Sequence, residues 1–290
     1  MMSKNNSLYF ILINIAMLCV STSGALGRFI SLPPSLTIWS RAVVAFVLLF
    51  GYVIWGKKRI RLDFKKEGVA ALLSGILMAG HWVAYFFALQ WSSVAIGMLS
   101  LFTYPMITLL LEPFFFDVRY QKRHLLLGIM ILTGVYFLAP SFELDNTVTQ
   151  GVLMGMLSSF CYALRNILMK QKIETVDGSV LMLYQMGVTV LILLPALYYF
   201  EPTSYVKDLP YLLLLGIVTT AIGHTLFLSS FKKFSVGTVS IMSGIQPIYG
   251  ILLGIVFLSE IPSSRSIIGG ILIILTVLIE QKSTRTTPEK

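Results

Sequence analysis

Residues 80–105 read GHWVAYFFALQWSSVAIGMLSLFTYP, and residues 223–247 read GHTLFLSSFKKFSVGTVSIMSGIQP. The two stretches share a Gly-His pair, a Ser-Val pair and a proline within an apolar run, at an offset of 142 or 143 residues. The matched residues are Gly80-His81 with Gly223-His224, Ser93-Val94 with Ser235-Val236, and Pro105 with Pro247. Each copy lies in a half of the chain that contains five long apolar runs. The sequence therefore predicts an internal repeat.

The composition places this repeat in a lipid bilayer. Apolar residues make up 56% of the chain, charged residues 12%, and the mean hydropathy is +0.83. Soluble domains carry about 25% charged residues. Runs of about 20 apolar residues match a hydrocarbon layer of about 30 Å when they are helical. The runs are apolar on nearly all faces, whereas barrel strands alternate in polarity, so we predict an all-α membrane protein.

We predict ten transmembrane helices. The first five are Leu8–Gly27, Ser35–Trp55, Gly68–Leu89, Val94–Phe116 and Leu125–Ala139, and the second five are Gly151–Gln171, Ser179–Phe200, Tyr211–Phe231, Val236–Leu258 and Ser266–Glu280. Because five is odd, the second set enters the bilayer from the opposite side, which gives two inverted five-helix repeats over residues 1–140 and 151–280. Secondary transporters are built in this way, with the substrate site near the midplane. Residues 281–290 are polar and are predicted to form a disordered cytoplasmic tail.

The basic residues predict the orientation. Of the 22 lysines and arginines, only Arg28, Lys207 and Arg265 fall in loops that are outside when both termini are inside, and Arg41 and Arg165 fall within spans. This bias favours cytoplasmic termini in a multi-pass protein of the cytoplasmic membrane. The basic loops explain the net charge of +9 and suit anionic lipid headgroups, so we expect no nucleic-acid partner.

Several classes of activity are disfavoured. Cys19 and Cys161 both lie within predicted spans and have no metal-ligand spacing, and no Gly-rich phosphate loop, nucleophile elbow or HExxH pattern occurs. No segment is long enough for a soluble nucleotide-binding domain. We therefore expect neither an enzyme nor an ATP-driven pump, and no metal or cofactor.

With these features the chain resembles the EamA-type ten-helix exporters of the drug/metabolite transporter superfamily over nearly its whole length. The resemblance rests on the repeat, an arginine early in the second span, the two prolines, an acid that closes the ninth span, and a Gly-rich start to the tenth. These residues are Arg41, Pro105, Pro247, Glu260 and Gly269-Gly270-Ile271-Leu272-Ile273. The resemblance implies transport of amino acids, nucleotide-like compounds, sugars or drugs, usually outward and driven by an ion or substrate gradient.

One element of the family pattern differs between the two repeats. In the family an acid follows the proline after 13 residues, and Glu260 stands at that distance from Pro247. In the first repeat this position holds Val118, with Asp117 beside it.

Two histidines are expected near the midplane. His81 and His224 lie about 20 Å deep in oppositely directed spans at 1.5 Å per residue, and Trp82 and Tyr85 are close to His81 on the same helix. They are candidates for substrate binding, and His81 also for carrying a coupled proton. The alternative is that they form interhelical hydrogen bonds that hold the bundle.

Arg41 is a candidate clamp for a substrate carboxylate, with a snorkelling or structural arginine as the alternative. In the second repeat it aligns with Gln185, preceded by Tyr184, so the two halves of the cavity are not equivalent. Arg165 and Asn166 lie one to two turns from the inner end of the sixth span and are expected to snorkel to the inner surface, with a functional role as the alternative.

Glu112 is a second candidate for ion coupling, although its carboxylate could instead pair with Arg119, Lys122 or Arg123. Pro105 and Pro247 free a backbone carbonyl within their spans, so we expect bent helices that act as hinges, or static kinks.

The combined prediction is a secondary transporter, most plausibly an exporter of an amino-acid-like metabolite, in the inner membrane of a bacterium. The predicted cavity wall consists of Arg41, His81, Trp82, Tyr85, Tyr104, Tyr184, Gln185, His224 and Gln246. The alternative is a membrane sensor or scaffold of the same fold that transports nothing.

Overall fold

A computed structural model describes residues 4–63, 67–118, 122–139 and 143–284, and every regular element in this part of the chain is helical. The first half contains α1 (Lys4–Phe29), α2 (Pro34–Trp55), α3 (Val69–Trp91), α4 (Val94–Leu101), α5 (Tyr104–Phe115) and α6 (Lys122–Leu138). The second half contains α7 (Thr147–Lys170), α8 (Gly178–Ile192), α9 (Pro202–Leu214), α10 (Thr225–Ser230), α11 (Val236–Met242), α12 (Gln246–Leu258) and α13 (Ser264–Thr284). Short 3₁₀ helices occupy Leu194–Tyr199 and Ser243–Ile245, and a π-helix occupies Leu215–His224.

Seven helical stretches of the described chain are long and apolar enough to cross a membrane. The described chain also contains three shorter apolar helices, at Arg123–Leu138, Gly178–Ile192 and Ser264–Ile279. The helical state follows from the solvent, because a backbone in lipid must satisfy its own hydrogen bonds. Of the predicted loops and tail, residues 64–66, 140–142 and 285–290 lie outside the described residues, and α13 extends through Thr284 into the predicted tail.

The fourth and ninth predicted spans are both interrupted just before their prolines. α4 ends at Leu101 and α5 begins at Tyr104, while a 3₁₀ turn separates α11 from α12, which begins at Gln246. Pro105 and Pro247 thus lie in the first turn of a new helix rather than inside a continuous one. Proline is well tolerated there, because the amide it lacks has no intrahelical partner in any case.

The predicted start of the eighth span at Tyr211 is wrong. The helix already begins at Pro202, and Pro210 lies within it. Asp208, in the part of α9 that precedes Tyr211, is paired: Ser31 donates to Asp208 Oδ2 through both its backbone N–H and its hydroxyl, at 2.9 Å each. The π-helical stretch that follows was not predicted, and π-helical turns are frequent at functional sites.

Small residues let the two halves approach closely. A Cβ atom at Gly155 of α7 would clash with the Ser100 side chain of α4, and one at Gly250 of α12 would clash with Met98 of α4. α4 is therefore held between a helix of the second half on each side. This packing brings the middle of α7 next to α3, where the polar side chains lie.

An ion pair fixes the segment after α2 to the start of α8. Lys58 Nζ lies 2.9 Å from Asp177 Oδ1, which also caps α8 by accepting from the backbone N–H of Ser179 at 2.9 Å. Partial burial raises the pKa of the Asp177 carboxyl, but hydrogen bonds from Ser179 and Lys58 outweigh that effect and bring this pKa down to about 2.

We expect Asp177→Ala to lower the free energy of unfolding by about 1–2 kcal/mol, because it removes the helix cap as well as the ion pair. Asp177→Asn keeps the cap and should cost less than about 1 kcal/mol, since both charged groups are partly exposed. The ion-pair contribution is complete above the usual aspartate pKa of about 3.9 and disappears as the pH falls through about 2. Unfolding in detergent across this pH range measures both effects, and equal losses in the two variants would contradict the assignment.

Candidate functional site

A cluster of polar side chains lies buried where α2, α3, α7 and the π-helix meet. We call it the central cluster, and its members are Arg41, His81, Trp82, Tyr104, Tyr162, Arg165, Asn166 and His224. The exposed fraction of each is 3% or less, so the cluster is closed to both sides of the protein. Such groups are costly in an apolar bundle unless they are paired or used.

The Arg41 guanidinium is held through its Nε atom and through one face of its plane. Its Nε donates to Thr220 Oγ1 of the π-helix at 2.6 Å, and its Cζ lies 3.9 Å from the centroid of the Trp82 ring. The two terminal nitrogens, Nη1 and Nη2, have no hydrogen-bond partner among the described residues. The side chain is fully buried, so the snorkelling alternative does not apply. Arg41 therefore presents an oriented fork with unused donors.

Arg165 is held by neutral acceptors. Its Nε donates to Gln185 Oε1 at 2.8 Å and its Nη1 donates to Asn166 Oδ1 at 3.0 Å. Its exposed fraction is 0%, so the prediction that Arg165 snorkels to the surface is wrong. α7 carries it inside the bundle, where Gln185 of α8 replaces the water that a surface guanidinium would contact. The structure thereby places Gln185 beside the cluster.

The two predicted histidines lie on either side of Tyr162. The ring centroids of His81 and Tyr162 are 4.3 Å apart, and His224 is edge-on to Trp82 at 5.3 Å and to Tyr162 at 6.2 Å. His81 Nδ1 is 2.7 Å from Ser158 Oγ and 3.2 Å from the Ser158 carbonyl. Because a carbonyl only accepts, these contacts place the ring proton on Nδ1. His81 therefore joins α3 to α7, and the interhelical hydrogen bond is part of its role.

The remaining predicted residues are distributed around this cluster. Tyr104, at the start of α5, packs edge-on against Tyr162 at 4.9 Å. Tyr85 stacks near His81 at 6.3 Å, and its hydroxyl contacts Met98. Gln246 is buried at the start of α12, where its carbonyl accepts from Ser21.

Tyr184 lies apart from the central cluster. Its hydroxyl donates to the Ile60 carbonyl at 3.1 Å, in the segment after α2. Glu112 lies near the far end of α5, where a Cβ atom at Gly237 would be 3.0 Å from Glu112 Oε2. Of its predicted partners, Arg119 lies outside the described residues.

Three central residues were not predicted: Ser158, Tyr162 and Thr220. The signal for the first two was present, because Ser158, Tyr162 and Arg165 recur at helical spacing on an otherwise apolar helix and share one face. Thr220 carries no such signal. It reaches Arg41 because the π-helix, in which it lies, changes the direction of its side chains relative to an α-helix.

Unused hydrogen-bonding groups converge in the cluster. Besides the Arg41 nitrogens, Trp82 Nε1 and His224 Nδ1 have no partner among the described residues. An unmade hydrogen bond costs about 1–3 kcal/mol for each buried group. Most of these atoms are donors, so the cluster is suited to a ligand with several oxygen acceptors.

A second concave surface is apolar and peripheral. It encloses 380 Å³ between α1, α9 and α12, with Phe29, Leu214 and Phe257 among its walls. These three side chains are exposed at the surface of the bundle, which faces lipid in a membrane. Thr22 and Tyr211 are the polar residues of its lining, so the groove offers few groups that would orient a metabolite.

Comparison with known proteins identifies the family to which these features belong. The model of the EamA-like transporter family matches residues 7–139 and, separately, residues 149–279. A protein from Archaeoglobus fulgidus described as an uncharacterized transporter is 29% identical over 68% of this chain and 70% of its own length. The pseudopaline exporter CntI of Pseudomonas aeruginosa is 22% identical, with 86% of each chain covered. A crystal structure with 19% identity superposes with a TM-score of 0.72 over 96% of this chain and 98% of that one, which supports the same fold.

Proposed function

Since the chain belongs to the EamA-like transporter family, we propose that it is a secondary transporter that exports a small, amino-acid-like metabolite by alternating access. The observation that carries this proposal is the central cluster, in which Arg41 offers two unused nitrogens between the halves of the chain. A closed polar cluster within a membrane bundle corresponds to an occluded state between the two open states. The name of the Pseudomonas aeruginosa relative, an exporter, supports the outward direction.

We propose ten spans arranged as two inverted five-helix repeats, residues 1–140 and 151–280. The seven long apolar stretches and the three shorter ones together supply ten, and the two separate family matches cover corresponding halves. The breaks before Pro105 and Pro247 also recur in both halves. The odd number of spans in each half inverts the second relative to the first.

Flux measurements separate this proposal from a sensor or scaffold of the same fold. Proteoliposomes that contain the full chain should release or accumulate a loaded metabolite faster than vesicles with the Arg41→Gln variant. A pool of isotope-labelled amino acids and amino-acid derivatives serves as the substrate mixture. A chain that binds members of this pool but moves none of them would be a sensor rather than a transporter.

The orientation leads to a labelling prediction. In the inner membrane of a bacterium, a cysteine at Asp145, between α6 and α7, should react with an impermeant maleimide added outside intact cells. A cysteine at Arg59, after α2, should react only after the cells are opened. The reason is the concentration of basic residues on the α2–α3 side, which favours the cytoplasm. The reverse pattern would invert the topology and the direction assigned to export.

The two helix breaks lead to a kinetic prediction. We expect Pro105→Ala and Pro247→Ala to slow turnover by roughly 10-fold while changing substrate affinity much less, because the broken helices are proposed to bend between states. Pro113→Ala is the matched control, since Pro113 lies in α5 but away from the break. Normal turnover in both variants would mean that the breaks are static.

A further inference from the structure

We infer that the substrate is a net anion whose carboxylate binds the Arg41 fork, and that the central cluster rejects cations. This rests on the proposed transport function and narrows the amino-acid-like class to acidic members and related carboxylates. Two sets of observations carry it: the charge of the cluster and the geometry of the Arg41 fork.

The cluster holds two positive charges without a described acid to neutralise them. Arg41 and Arg165 are both 0% exposed, and both act electrostatically on Tyr162. Three acids of the described chain pair with bases outside the cluster: Glu260 with Arg28, Asp177 with Lys58 and Glu174 with Lys170. Burying each ion costs several kcal/mol when no opposite charge is present. An anionic ligand is the group that would offset this cost.

The geometry of Arg41 selects a planar anion. Thr220 holds Nε and the Trp82 ring covers one face, which leaves Nη1 and Nη2 side by side. Two parallel N–H bonds from a guanidinium match the two oxygens of a carboxylate. Arg165 contributes charge rather than a fork, because Gln185 and Asn166 already accept from two of its nitrogens.

The same charges disfavour a cationic group on the substrate. An ammonium in this cluster would face two guanidinium groups, and the Trp82 face that could bind it is already occupied by Arg41. In a neutral zwitterion, the carboxylate therefore strengthens binding and the ammonium group weakens it. An acid with one more carboxylate than amines has no such conflict.

Thermal stabilisation of the full-length protein by charge-matched probes tests this inference. The probes are pairs of one skeleton, a carboxylate and its primary amide: glutamate with glutamine, aspartate with asparagine, and linear dicarboxylates of increasing length with their monoamides. We expect the dicarboxylates to bind roughly 10- to 100-fold more tightly than their amide partners, as for one charge-assisted hydrogen bond. Arg41→Gln should abolish the difference, and Arg41→Lys should restore only part of it.

The inference would be overturned if amides or amines stabilised the protein as strongly as the acids do. It would also be overturned if none of the acids stabilised the protein. Either result leaves the transport function standing if the labelled pool still shows flux. Absence of flux for every member of the pool would instead count against the proposed function itself.

We further infer, from contacts outside the cluster, that equivalent ion pairs close the two faces alternately: Arg28 with Glu260 at one face and Lys170 with Asp117 at the other. At the first face Arg28 Nε donates to Glu260 Oε1 at 2.8 Å, and Val94 N donates to Glu260 Oε2 at 2.8 Å. Glu260 therefore joins the end of α12 to the start of α4 and the end of α1, across the two proposed repeats.

The opposite face contains the corresponding residues. Arg28 also donates to the carbonyl of Gln90, at the end of α3, and Lys170 donates to the carbonyl of Phe231, just after α10, both at 2.8 Å. Each of these two contacts lies within one proposed repeat. In the sequence, Lys170 follows Arg28 by 142 residues and Phe231 follows Gln90 by 141 residues. Lys170 thus occupies the place of Arg28.

Asp117 corresponds to Glu260 by its position relative to the helix end. α5 ends at Phe115 and α12 at Leu258, so each acid is the second residue after its helix. α5 has 12 residues and α12 has 13, which accounts for the displaced acid in the first repeat. In this structure Asp117 is exposed and forms no ion pair with the described residues, while Lys170 is 3.5 Å from Glu174. The Arg28–Glu260 pair is formed in this structure, and the Lys170–Asp117 pair is not.

The experiment measures conformation and transport together. In a background without Cys19 and Cys161, a cysteine at Gln246 is labelled with impermeant maleimide from the Arg28 side. Glu260→Gln should increase labelling, and Asp117→Asn should decrease it and slow turnover, whereas Glu174→Gln should do neither. Exchange of the charges, Asp117→Lys with Lys170→Asp, should restore turnover. Identical behaviour of Asp117→Asn and Glu174→Gln in both measurements would overturn the alternating pairs.

Discussion

Arg41→Gln is expected to weaken substrate binding by roughly 10- to 100-fold, the equivalent of one charge-assisted hydrogen bond of about 1.5–3 kcal/mol. Arg41→Lys keeps the charge but not the fork, so its affinity should lie between those of Gln and wild type. Equilibrium binding to the purified protein gives both values. Arg61→Gln, which changes an exposed arginine in the segment after α2, is the matched control.

Stability without substrate distinguishes a binding role for Arg41 from a structural one. The guanidinium is fully buried, and two of its nitrogens lack partners in the described chain, so its neutral replacement removes an uncompensated charge from the bundle. Arg41→Gln should therefore unfold at the same temperature as wild type or higher, while binding is lost. A variant that is markedly less stable but binds normally would make Arg41 a structural residue.

The repeat and the apolar runs predicted the fold correctly at the level of helices in a membrane, because hydropathy over about 20 residues depends little on tertiary detail. Local interruptions were harder to predict. Pro105 indicated a bend but not the break two residues before it, and residues 201–210, which lie between two predicted spans, are helical from Pro202 onward. Proline is tolerated in the first turn of a helix and disrupts the helix further in, so its effect depends on where the helix begins.

The central residues were predictable where depth alone determined them. His81, Trp82 and His224 were singled out from the depth of the histidines in the predicted spans, and the structure brings them together with Arg41. The direction in which a side chain points around its helix axis was harder to predict from the sequence. Tyr184 and Gln185 are adjacent in sequence, yet only Gln185 reaches the cluster. Arg165 was misassigned because its distance from the helix end permits snorkelling, while the neighbouring acceptors that keep it inside come from another helix.

The last prediction concerns His81 and ion coupling. The charged or titratable groups that face its ring are Arg41, Arg165, Tyr85, Tyr162 and His224. Protonation of His81 would add a third positive charge to the cluster, and an anionic substrate would offset it. Proton and substrate should therefore favour each other's binding, so that flux rises as the pH falls.

His81→Gln retains a hydrogen-bonding side chain opposite Ser158 but cannot titrate, so it should bind substrate and show a flat dependence of flux on pH. His81→Ala also removes the contact between α3 and α7, and it should lose stability by about 0.5–1.5 kcal/mol together with binding. His224→Gln is the matched control, because His224 lies in the same cluster without a bond to Ser158. A wild-type pH profile in His81→Gln would exclude His81 as the proton site. The same substitution at Glu112, the remaining predicted coupling residue, would then be the measurement that decides whether a carboxylate near the end of α5 carries the proton.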